Sequence, residues 1–174
     1  MPYAYVCRTV VVHTFDLRER NDKNIVFAKV LMKHGAAFHH WGIGTPEEAA
    51  ENARMKTLQQ TIVELRHSGR TIDLFKIDCE SCEWYQYQTW FDAMRSENVA
   101  IRQILVETHH VHGIEKQARD FFMSLHDAGY VVFSKEANYE SQASCVEYAF
   151  LKLSTDFFSN DTMYYPRYSG VKPR

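Results

Sequence analysis

Short apolar runs alternate along the chain with helix-length amphipathic stretches, a rhythm that predicts an α/β fold. Residues 9–16, "TVVVHTFD", are rich in β-branched side chains and end on an acid, while residues 36–44, "AAFHHWGIG", form a second run closed by glycines. Both read as strands. Between them, "DKNIVFAKVLMKH" places Ile25, Val26, Ala28, Val30 and Leu31 at spacings that suit a short helix capped by Asn21 or Asp22. The next stretch opens with Thr45-Pro46-Glu47-Glu48, a helix-start signal with proline in the first turn, and closes on Gly69. One helix, continuous or broken midway, is the expectation there.

The second half repeats the rhythm. Residues 71–78, "TIDLFKID", predict a third strand, and Trp84, Tyr87, Trp90, Phe91 and Met94 then recur at helical spacing. Those aromatics are expected to serve the core and not a ligand cage. "IRQILVETHH" (101–110) is the fourth strand, "GIEKQARDFFMSLHDAG" the helix after it, and "YVVFSKE" the fifth strand. "SCVEYAFLKL" (144–153) follows as a last strand with no helix in between, so these two are expected to pair antiparallel at one edge of an otherwise parallel sheet.

In an open α/β sheet, ligands gather beyond the carboxyl ends of the strands. Those ends carry Asp16, then Gly42 and Gly44, then Asp78 with Glu80, then Glu107 with His109. Each has a plainer reading. Asp16 suits a turn cap, the glycines a tight turn, Glu83 the first turn of a helix, and His109, His110 and His112 a solvated loop. Cys79-Glu-Ser-Cys82 has the spacing of a zinc or thiol-redox pair. Cys7 and Cys145 stand alone, however, so a second ligand pair is missing and structural thiols near a helix start are the expectation.

Composition narrows the classes. With 174 residues, 45% of them hydrophobic, the chain suits one core. Twenty Lys and Arg against twenty-two Asp and Glu leave a net charge of -2, which gives no field for nucleic acid or an anionic membrane. The first residues lack a secretory pattern and no apolar run is long enough to cross a bilayer, so a cytoplasmic location is expected. Four cysteines favour reduced thiols over a disulfide scaffold. Asn160-Asp-Thr162 matches a glycosylation acceptor and reads as chance without an export signal.

Taken together, "HTFDLRERNDK", "FHHWGIGTPEE", "TLQQTIVEL", "IDLFKIDCESCEW" and "IRQILVETHHVHG" stand in the order and spacing of the FkbM-like methyltransferases. The resemblance is to the branch of methyltransferase-like proteins of animals and algae, and "GYVVFSKEANYE" and "SCVEYAFLKL" extend it to about residue 153. It implies a Rossmann-like methyltransferase domain over residues 1–155 with a tail at 156–174, binding S-adenosylmethionine and methylating an oxygen of a small molecule or glycan. On that resemblance, Asp16 holds the cofactor's ribose and Gly42, Ile43 and Gly44 flank its adenine. Asp78, with Glu80, faces the methyl-transfer site. His109 is then a candidate base, or joins Asp78 and Glu80 around a divalent metal that lowers the acceptor's pKa.

Two departures from the family pattern qualify this. The glycine of the usual "KIDxEGxEW" motif is Ser81, which costs about 1 kcal/mol if that position requires positive φ. The family's N-terminal strand and glycine-rich loop, of the form "DxGxxxG", have no counterpart in residues 1–8. A sheet lacking that central strand is expected to self-associate or to take a partner chain there. The alternative to a methyltransferase, whole or truncated, is a catalytically inactive binding or interaction module derived from one.

Overall fold

The computed structural model describes residues 11–16, 29–109, 112–139, 145–154 and 157. These described residues fall into two compact units, one made of those within 1–72 and 82–100 and the other of those within 73–81 and 101–174. Residues 1–10, the start of the helix expected before residue 34, Asn160 and nearly all of the tail lie outside the described residues.

In the first unit, β1 (Val12–Phe15) pairs in parallel with β2 (Ala36–His39). The strand expected over 36–44 is divided: after His40 and Trp41 the chain starts β3 (Gly42–Ile43), which pairs in parallel with β4 (Met55–Lys56). The helix expected over 45–69 is broken as well, into α1 (Pro46–Glu51) and α2 (Leu58–Glu64) with β4 between them. Two capping boxes explain the break. The Thr45 hydroxyl accepts from Glu48 N and the Glu48 carboxylate accepts from Thr45 N, and Thr57 and Gln60 repeat the exchange at the start of α2.

The helix predicted from its aromatic spacing is α3 (Glu83–Ser96), and it buries Trp84, Tyr87, Trp90 and Ala93. Trp84, Tyr87 and Trp90 are core, as their period implies, while Phe91 and Met94 are half-buried. Glu83 lies in the first turn of α3, as expected, and is fully buried there.

The second unit is built on a four-stranded sheet in the order β5 (Thr71–Ile77), β6 (Ala100–His109), β8 (Cys145–Lys152), β7 (Tyr130–Asn138). β8 runs antiparallel to both β6 and β7, so the final two strands pair as expected and β7 forms the edge. The fold class is mixed α/β with parallel and antiparallel pairing, consistent with a Rossmann-like methyltransferase. Among the described residues the strands form three separate sheets and not one.

Side-chain alternation gives the sheet two unlike faces. Ile104, Val106 and Thr108 stand opposite Phe150, Tyr148 and Val146. This face meets α4 (Glu115–Asp127), whose Phe121 and Phe122 lie edge-on to Phe150 and Tyr148. The other face carries Glu107 and His109 with Glu147 and Cys145 opposite them. Tyr130 anchors the start of β7: its hydroxyl donates to Ile101 O at 2.7 Å, and burial pushes its pKa up to about 12.

Candidate active site

The turn after β5 brings three of the expected site residues together. His109 Nε2 lies 3.7 Å from Asp78 Oδ1 and 3.7 Å from Glu80 Oε2. His109 is only 3% exposed, so the solvated-loop reading fails for it and holds for His112, which is fully exposed. Asp78 is half-exposed and Glu80 largely exposed. A buried imidazole thus faces two carboxylates that reach solvent. Burial, then the charge of Glu107, raises the Asp78 pKa, while His109 and Lys76 pull it down. A carboxylate raised in this way accepts a proton more readily than an ordinary one.

The turn itself is strained. Glu80 has φ 55° and Ser81 φ 87°, both in the left-handed region that glycine occupies freely. The cost anticipated for a serine at the family's glycine position therefore applies. Ser81→Gly is expected to raise the unfolding free energy by up to about 1 kcal/mol, part of the relief being offset by glycine's greater freedom in the unfolded chain. A urea midpoint unchanged or lowered at constant slope would contradict this.

Glu107, expected at a ligand-facing strand end but given no specific role, borders the same cluster, as do Asn138 and Cys145, for which no role was expected. Glu107 and His109 lie two apart on one strand and share a face, and Cys145 is directly opposite His109. Asn138 pairs with Cys145 from the other side and donates to Glu107 Oε1 at 2.8 Å. The "VETH" alternation held a signal for Glu107, but Cys145 is reached only once the β6–β8 register is known.

The residues assigned to the cofactor lie in the first unit. Asp16 follows β1, where its N–H donates to His39 O at 3.1 Å and extends the β1–β2 ladder. Gly42 N and Gly44 N donate to Arg54 O and Lys56 O, and Ile43 is half-buried between them. A Cβ on Gly44 would come within 2.5 Å of Met55 Cε and 2.6 Å of Glu48 Oε2, so a side chain there would have to displace these two side-chain ends, one of which belongs to the α1 capping box. Nearby, His13 Nδ1 and His39 Nε2 stand 2.9 Å apart, and His67 meets His13 edge-on. Burial lowers the pKa of all three, so these imidazoles favour the neutral form.

Reduced thiols at Cys79 and Cys82 were expected, and this requires correction. Both are disulfide-bonded, so neither offers a thiolate in this state. Their three-residue spacing permits a bond that spacing alone does not reveal. Cys145 is a buried thiol outside any disulfide.

Comparison with protein families decides the broad class: a family described as methyltransferase domain matches residues 7–152. The chain belongs to that family. Neither curated proteins nor solved structures gave a match. For a methyltransferase domain, acids and a histidine gathered at the carboxyl ends of β5 and β6 stand where an α/β sheet presents its chemistry. Among the described residues, no helix is long and apolar enough to cross a membrane.

Proposed function

We propose that this methyltransferase domain is of the FkbM-like branch, uses S-adenosylmethionine, and methylates a hydroxyl of a small molecule or glycan. The observation that carries the reading is the meeting of Asp78, Glu80 and His109 at two strand ends. The cofactor supplies a methyl group already activated on a sulfonium. The protein's remaining tasks are alignment and removal of the acceptor's proton.

His109, buried and held beside two carboxylates, takes that proton at Nε2, and Asp78 and Glu80 stabilise the imidazolium that results. The donor set fits the cofactor in part. Asp16 places a half-buried carboxylate at a strand end, which suits a ribose diol. Gly42 and Gly44 use their N–H groups within the β3–β4 pair, so β3 offers the adenine a surface and not backbone donors. A second reading sets a divalent ion on Asp78, Glu80 and His109, favoured by ligand atoms that lie within 4.8 Å of one another.

Calorimetric titration of the 174-residue chain with S-adenosylhomocysteine tests the proposal. Micromolar binding is expected, weakened in Asp16→Ala and retained in Asp78→Ala, which instead loses turnover. Equal affinity in wild type and Asp16→Ala would remove Asp16 from the cofactor site. No binding by a folded chain would identify the inactive binding module in place of the enzyme.

A further inference from the structure

We infer that Glu107, His109 and Cys145 form the inner ligand set of a thiophilic divalent ion of the zinc class, with Asp78 and Glu80 on its open side. The inference rests on the second, metal-holding reading of the site and goes beyond it by naming different ligands and a different class of ion.

Three observations support it. First, one donor atom from each of Glu107, His109 and Cys145 lies within 4.8 Å of the others, and His109 also belongs to the group with Asp78 and Glu80. Ligands around a tetrahedral zinc lie roughly 3.3–3.6 Å apart, so modest side-chain rotation closes the set. Second, the three are 8%, 3% and 6% exposed, and they come from two hydrogen-bonded strands in fixed register. A site on paired strands is held more firmly than one on a loop. Third, the donors are a carboxylate, an imidazole and a thiol. Magnesium and calcium select oxygen alone, whereas zinc takes all three.

The surroundings complete the arrangement. Asn138 Nδ2 bonds Glu107 Oε1 and orients the carboxylate from the adjoining strand, as an outer-shell partner does. Lys76, the neighbouring cation on β5, is engaged with both oxygens of Glu147, at 3.0 and 3.2 Å. On metal binding Cys145 loses its thiol proton to solvent and coordinates as thiolate. Three protein ligands leave a fourth position on the side of Asp78 and Glu80, where an acceptor hydroxyl entering from solvent would meet the ion.

Cobalt(II) is the probe, because a coordinated thiolate gives a charge-transfer band that oxygen and nitrogen ligands do not. The full chain, stripped with chelator and kept without reductant, is expected to bind one cobalt with that band, and zinc should displace it. The band should vanish in Cys145→Ser and persist in a Cys79→Ser/Cys82→Ser double variant. Glu107→Gln and Asn138→Ala, checked for fold by circular dichroism, should weaken binding by roughly 10–100-fold. Absence of the band, its survival in Cys145→Ser, or its loss only in the double variant would overturn the inference. Parallel titration with S-adenosylhomocysteine separates the two proposals. Cofactor binding without the band sinks the metal site alone, and the band without cofactor binding sinks the methyltransferase reading alone.

Discussion

His109→Ala is expected to lower methyl transfer by about 10²–10⁴-fold while leaving S-adenosylhomocysteine binding unchanged. The imidazole is buried on β6 and directs Nε2 at the only two expected catalytic carboxylates, so no small movement of another side chain replaces it. Transfer of labelled methyl from S-adenosylmethionine to a panel of glycans and small alcohols supplies the rate. The dependence on metal then divides the two roles proposed for His109. A base works after chelator treatment, and His109→Ala then loses activity with no change in bound metal. A ligand instead makes the rate depend on added zinc, and the variant loses bound metal and activity together. A loss below about tenfold would remove His109 from the chemistry.

How far the sequence reaches can be judged from individual elements. The α3 aromatics and the alternation in β6 and β8 were legible because a long element repeats its period enough times to be read. The two-residue strands β3 and β4 have no period, so residues 36–44 looked like one strand, and 45–69 like a helix whose midway break could be allowed for but not located. Thr45 with Glu48, and Thr57 with Gln60, carried two capping boxes that locate the break once both are counted. At the site, Asp78, Glu80 and His109 were found because they end strands, and the strain at Ser81 was foreseen from a missing glycine. Cys145 was not, since its place opposite His109 depends on register between segments far apart in sequence. The oxidation of Cys79 and Cys82 is likewise a property of sulfur geometry and redox state, to which the letters Cys-x-x-Cys are indifferent.

The unlike faces of the β6–β8–β7 sheet lead to the largest expected loss of stability. Phe121→Ala should lower the unfolding free energy by about 3–5 kcal/mol. Phe121 is wholly buried, and its ring meets Phe150 at 85° with centroids 6.3 Å apart and Phe122 at 5.2 Å. Ile104, Val106 and Phe150, all nearly inaccessible, complete the apolar layer beneath α4. Truncation removes the ring's transfer free energy and leaves a cavity between helix and sheet that a hydrogen-bonded ladder does not collapse to fill. Phe133 is the control. It lies at the β7 bulge, 55% exposed, and its alanine variant should change stability by less than about 0.5 kcal/mol. The measurement is a urea midpoint at constant slope for each variant. Equal losses in the two would mean that α4 does not seal this face. That would also weaken the site, because Glu107, His109 and Cys145 are held in place by the same three strands whose other face Phe121 covers.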